Sequence, residues 1–154
     1  MEAVRTEGRR VAAVALLLVV AFFTQGLAAQ HAHAATRRRD SVLSLTNHDR
    51  AEHHRRALSL NDRLSRYAKR HSRAMAKKGY LFHTADLASK LKGLDWSIGG
   101  ENVGVGSSLD GLEKAFMHST DHRRNILRKT FDHTAIGVIK DADGHFWVTV
   151  IFYG

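Results

Sequence analysis

The segment Phe146-Trp-Val-Thr-Val-Ile-Phe-Tyr153 is apolar at nearly every position. A strand with one face in water alternates apolar and polar side chains, so this unbroken run predicts a sheet covered on both faces. Just upstream, Thr134 to Lys140 is rich in β-branched residues, and Asp141-Ala-Asp-Gly144 between the two stretches suits a hairpin loop. With helices as the only available cover, the chain predicts an α+β fold: an α-β-α sandwich with a central antiparallel sheet. At 154 residues there is room for one core and one domain.

The helices can be read from spacing and punctuation. Ser41 is a fair N-cap for a first helix reaching about Ala57, with Val42, Leu45 and Ala51 as a narrow apolar stripe. A second starts at Asn61-Asp62, carries Leu64, Tyr67, Ala68, His71 and Met75 on one face, and stops at Lys77-Lys78-Gly79. His71 inside that stripe reads as a hydrogen-bonded core residue. Leu87, Leu91 and Leu94 suggest a short helix, and Gly99 to Gly106 a loop or short strand. Ser107 or Ser108 caps a third long helix through about Ser119, lined by Leu109, Leu112 and Phe116, and Thr120-Asp121 opens one more turn to Leu127.

Residues 1–34 have the layout of a secretory signal: Arg5, Arg9 and Arg10, the apolar run Val11 to Phe23, then small residues ending Ala32-His33-Ala34. The same run, stretched through Ala29, approaches the lower limit for spanning a bilayer, so a retained anchor is the alternative. Residues 35–40 read as a basic linker and 41–154 as the folded domain. The chain has no cysteine, so such an exported domain must be held by its core rather than by disulfides, which fits a bacterial source. Cleavage after Ala34 removes three arginines and two glutamates from 24 basic and 15 acidic side chains, leaving a net charge of +8. That charge favours anionic surfaces such as acidic lipid or phosphate-bearing wall polymers. The basic residues are scattered, with Thr36-Arg-Arg-Arg39 the one cluster, which argues against a dedicated nucleic-acid domain. The expectation is a secreted or envelope-associated monomer that meets a membrane only if the leader is kept.

A site is suggested by Gly99-Gly100-Glu101-Asn102, where a glycine pair could aim a carboxylate into a cavity, with Phe82-His83-Thr84 before it and a histidine-rich stretch, His118 to His133, after it. These pieces, together with Leu45-Thr-Asn-His-Asp-Arg50, Ala68-Lys-Arg-His-Ser-Arg-Ala-Met75, His122-Arg-Arg-Asn-Ile-Leu127, Ile136-Gly-Val138 and the closing Phe146 to Phe152, stand in the order and spacing of a known family. The chain resembles the CAP superfamily, named for cysteine-rich secretory proteins, antigen 5 and pathogenesis-related 1 proteins and also called the SCP domain. It is most similar to the cysteine-free bacterial members.

The resemblance implies the same α-β-α sandwich. In animal and plant members two histidines and two glutamates line a cavity; the match places the first histidine at His83, the first glutamate at Glu101 and the second histidine at His133. The position of the second glutamate falls on Ser119, so the set is incomplete, and His122, part of the bacterial signature, is expected at the cavity rim. Two imidazoles and a carboxylate are suitable ligands for a divalent cation such as zinc, which makes His83, Glu101 and His133 a candidate metal set, although their spacing is no compact metal motif. The other expectation is a hydrogen-bonded polar cavity without tight metal. Ser119 beside His122 could be a nucleophile and base, or a helix-end cap. The missing glutamate makes binding of an envelope component, lipid or partner the stronger expectation, a metal-dependent hydrolase the alternative, and a purely structural module the third.

Overall fold

Helix α1 of the computed structural model spans residues 32–52, and the structure describes Gln30 and residues 32–154. The expected leader therefore lies, but for four positions at its end, outside the described residues. Residues 35–40, expected as a linker, and Ser41, expected as a cap, both lie inside α1. Nothing in Ala34-Ala-Thr-Arg-Arg-Arg39 stops a helix, because it has neither glycine nor proline and alanine and arginine are good helix formers. The helix ends at residue 52 rather than near Ala57, and His54 follows in a left-handed conformation with φ 55°. Val42, Thr46 and Arg50, one helical turn apart, are its fully buried residues. Its apolar stripe is narrow because two of those three are polar.

The remaining elements are β1 (Ser59–Leu60), α2 (Asp62–Lys78), α3 (Leu87–Leu91), β2 (Gly99–Gly106), α4 (Leu109–His118), α5 (Thr120–Leu127), β3 (His133–Lys140) and β4 (Phe146–Tyr153). Helix α2 obeys its sequence signals: the Asn61 side chain accepts from the Leu64 amide, and Gly79 closes the helix with φ 73°, its N–H on the Met75 carbonyl. Residues 99–106, read as loop or short strand, form a full eight-residue strand on the sheet edge.

The sheet order is β1-β3-β4-β2. The three long strands are antiparallel, as expected; the two-residue β1 departs by pairing parallel to β3. Every residue of β4 after Phe146 is buried, which is the two-sided cover its composition requires. On one face Ile136, Val138, Val148, Val150 and Phe152 pack with Val42 of α1, Leu112 and Phe116 of α4 and Ile126 of α5. On the other, Ala135, Ile151 and Tyr153 meet Leu64 and Ala68 of α2 and Leu91 of α3, and Met75 meets Val103 and Trp147. Residues 37–154 form one compact unit. None of the helices among the described residues is long and apolar enough to cross a membrane.

Helix α2 lies almost on the backbone of β3. A Cβ placed on Gly137 would stand 2.1 Å from the Ala68 carbonyl carbon, so only glycine permits this approach. Gly137→Ala must push the helix away, and we expect a loss of about 3 kcal/mol, read from the urea midpoint; an unchanged midpoint would show that the helix does not sit this close.

Between α1 and α4 lies an acid that the apolar pattern conceals. Glu113 is buried, its Oε1 has no hydrogen-bond partner, and burial raises its pKa to about 7, with Asp49 adding to the effect. The folded state thus holds the proton more tightly than the unfolded chain, whose glutamate titrates near 4.5. Stability is greatest below the unfolded value and falls as pH rises through about 7, by about 3 kcal/mol in all. Glu113→Gln should flatten that part of the pH–stability curve between pH 5 and 8; parallel curves for the two proteins would rule the assignment out.

Candidate functional site

Two residues of α2 position the loop that follows it. His71 approaches the Phe82 carbonyl through Nε2 at 2.8 Å, and because a carbonyl only accepts, that nitrogen carries the proton. The Phe82 ring packs edge-on against the same imidazole, with centroids 4.9 Å apart. Four residues earlier, the Tyr67 hydroxyl donates to Thr84 Oγ1 at 3.1 Å. His83 lies between these two attachments, so α2 fixes its backbone from both sides. His71 is structural, as its place in the apolar stripe suggests.

Glu101 comes from the sheet. Strand β2 pairs Glu101 with Ile151 of β4, and the strand alternation turns its side chain toward the α2 layer. There Oε2 accepts from the Thr84 amide at 2.8 Å and lies 2.9 Å from His83 Nδ1, while Oε1 accepts from Thr84 Oγ1 at 2.6 Å. With both oxygens accepting, His83 Nδ1 is the donor, which leaves Nε2 as the outward lone pair of the neutral ring. The contrast in exposure defines the site: the Glu101 side chain is 5% exposed and that of His83 61%. A buried, fully hydrogen-bonded acid holds an accessible imidazole in one tautomer and one orientation.

The opposite side of β2 is fastened to α5. Asn102 donates through Nδ2 to the His122 carbonyl at 3.0 Å, and Asn125 Nδ2 reaches both Asn102 Oδ1 at 2.9 Å and the Glu101 carbonyl at 3.3 Å. This explains the glycine pair differently from its sequence reading. Neither Gly99 nor Gly100 has positive φ; a Cβ on Gly100 would stand 2.8 Å from Asn125 Oδ1, so the residue is needed for close approach rather than for a special backbone conformation. His122 packs against Phe116 with centroids 4.9 Å apart. Burial lowers its pKa, and the nearby charge of His83 lowers it further against the pull of Asp121, which puts the two imidazoles within electrostatic reach.

Two of the expected members stand apart from this arrangement. Ser119 is the junction of α4 and α5: its N–H bonds to the Ala115 and Phe116 carbonyls, its side chain makes no cap, and it shares no hydrogen bond with His122. The nucleophile–base pair is therefore not formed. His133 pairs across the sheet with Tyr153, which pairs with Gly99, so two strand spacings and a two-residue offset separate it from Glu101, on the order of 12 Å between Cα atoms. Its ring stacks on Tyr153 at 5.0 Å. His133 thus does not converge with His83 and Glu101, and Glu101 already engages both oxygens; the three do not fit as a shared metal set. The family match placed His133 in the site, and nothing in the order of residues along the chain reveals the register that moves it away. Conversely, Tyr67 and Thr84 were not singled out there as site residues, although Tyr67 lies on the apolar stripe and Thr84 adjoins His83.

This architecture, a four-stranded mixed sheet between two helical layers with a histidine–glutamate pair at the edge strand, defines an α-β-α sandwich with a polar site on one face. Residues 43–152 match the family model of CAP, the cysteine-rich secretory protein family, and the chain belongs to that family. It is 30% identical over 113 residues to YkwD of Bacillus subtilis, an alignment covering 69% of this chain and 43% of the relative, so the chain spans less than half the length of that curated relative. Among solved structures, an extracellular SCP-domain protein of Bacillus anthracis aligns with TM-score 0.65 and 23% identity over 77% of this chain and 41% of its own. An outer surface protein of Borrelia burgdorferi aligns with TM-score 0.66 and 18% identity over 74% of this chain and 90% of its own. These likenesses show the shared fold.

Replacing the acid tests how the site is built. In Glu101→Gln one acceptor oxygen becomes a donor NH₂ facing His83 or Thr84, and we expect a loss of about 2 kcal/mol together with faster hydrogen exchange at the Thr84 amide. Unaltered stability and exchange would mean that the carboxylate does not organise the loop.

Proposed function

We propose that this CAP-family domain acts outside the cytoplasmic membrane and binds an anionic envelope component at the face around Glu101, with His83 as the contacting side chain. The observation that carries this reading is the pairing of a buried, triply hydrogen-bonded carboxylate with an exposed imidazole. A structural lock alone would not require the histidine to project into solvent, whereas a binding residue must be both oriented and accessible. A neutral His83 Nε2 accepts a hydrogen bond, and a protonated ring donates one to an oxyanion. His122, within electrostatic reach on the other side of the strand, adds a second titratable group to the same edge. The basic composition and the export signal read from the sequence support an anionic target.

The metal-dependent hydrolase built on His83, Glu101 and His133 is the weaker reading, because the sheet register separates His133 from the other two.

The full chain should be retained on isolated cell-wall material at low salt and released as ionic strength rises. His83→Ala should lower that retention several-fold with only a small fall in melting temperature, because Thr84 still donates to both oxygens of Glu101. A variant that melts like the parent and binds as well would overturn the assignment of His83, and failure of the parent to bind would overturn the envelope reading.

A further inference from the structure

A groove of about 330 Å³ lies between α2 and α3, away from the His83 imidazole but sharing a wall with its support. Arg63, Tyr67 and Arg70 fall four and three residues apart on one face of α2, and Lys90 and Lys92 face them from α3 and its C-terminal cap. No carboxylate among the described residues lines the groove. Among the described residues none of these four cations is in an ion pair; two nearby acids are engaged elsewhere, Asp62 with Arg39 and Asp86 with the Ser89 amide at the start of α3, and the exposed Asp95, next to Leu94 of the groove wall, pairs with none of the four. The Tyr67 ring holds two of the charges in place, with Lys90 Nζ 5.4 Å and Arg70 Cζ 6.0 Å from its centroid.

Four like charges converging on a concave surface repel one another unless an anion enters, and such a concavity focuses the field that attracts one. From this we propose that the α2–α3 groove is a phosphate subsite and that its occupant is a phosphodiester-linked polymer of the cell envelope. The proposal deepens the reading above and rests on it. Two arginine forks and two ammonium groups suit the tetrahedral, delocalised charge of phosphate better than a single carboxylate. A polymer fits better than a lipid headgroup because the large hydrophobic residues most exposed among the described residues, Tyr80, Leu81 and Val105, lie outside the groove, so none of these three stands at its rim to enter a bilayer. The groove is also joined to the other site by hydrogen bonds: Tyr67, its aromatic wall, donates to Thr84, which donates to Glu101. A chain anchored by one phosphate in the groove would lie beside the residues that hold His83.

The test uses the full chain and a short poly(glycerol phosphate), titrated calorimetrically at low salt, with phosphatidylglycerol vesicles and inorganic phosphate in parallel. Arg63→Gln with Lys92→Gln leaves the Tyr67 contacts intact and should weaken polymer binding at least tenfold. Lys114→Gln with Lys129→Gln makes the same change in net charge on other exposed positions and should weaken it less than twofold. Equal losses in the two pairs would overturn the subsite in favour of a diffuse basic surface, and vesicle binding as tight as polymer binding would overturn the choice of polymer. Inorganic phosphate should compete with the polymer at millimolar concentration; competition by chloride at equal ionic strength would count against a phosphate site. If wall retention survives in the Arg63/Lys92 pair and is lost in His83→Ala, the groove fails and the envelope reading stands. If the polymer binds the groove but wall material is not retained, the reverse holds.

Discussion

One guanidinium holds the parts of this fold that the sheet does not. Arg50, with 0% of its surface exposed, donates to the carbonyls of Arg56, Ile126, Arg128 and Phe131, between 2.7 and 3.1 Å. Two of those oxygens belong to the end of α5, where a helix leaves carbonyls without partners and its dipole favours a cation. Burial lowers the pKa of the group, and Arg55 lowers it further while Asp132 opposes, yet arginine stays charged in any protein setting. The dehydrated charge is thus offset by four oriented carbonyl dipoles rather than by direct contact with an acid, an arrangement that needs the five donors of arginine and that lysine could not reproduce. Because α5 is fixed there at one end and through Asn102 and Asn125 to β2, the same residue steadies the strand that presents Glu101.

The parts of the fold that could be read from sequence are those decided locally. Asn61 and Gly79 bound α2 because a side-chain cap and a left-handed stop act within one turn, and the apolar run of β4 announced a covered sheet because the strand period is two. What could not be read was decided by neighbours distant in the chain. Nothing in residues 35–40 marks where a helix begins, so a basic run passed for a linker. Register put His133 beside Tyr153 instead of beside Glu101, and no spacing encodes that choice. Gly100 and Gly137 were needed for the approach of Asn125 and Ala68, contacts visible only once the layers are assembled.

Glu113 is an intermediate case. It stands four residues after Leu109 and three before Phe116, on the buried side of α4, so the helical period alone could have marked it as an acid facing the core. The family resemblance drew attention to Glu101 instead, and the two acids answer burial differently. Glu101 has three donors around its carboxylate, whereas Glu113 has an oxygen without a partner and is held as the neutral acid at a pH where most glutamates are ionised.

The bond between His83 and Glu101 joins two bodies. The imidazole takes its position from α2 through Tyr67 and His71, and the carboxylate takes its position from the sheet through Ile151 and, on the far side, α5. Their separation of 2.9 Å therefore measures the spacing between helix layer and sheet, which is set some distance away where Ala68 rests on Gly137. Close-packed layers move as units rather than deforming locally, so a few tenths of an ångström gained or lost at that glycine would appear as a stretched or broken contact at the surface imidazole. The site works as a gauge of the packing beneath it, and substitutions that alter what His83 can hold need not lie anywhere near it.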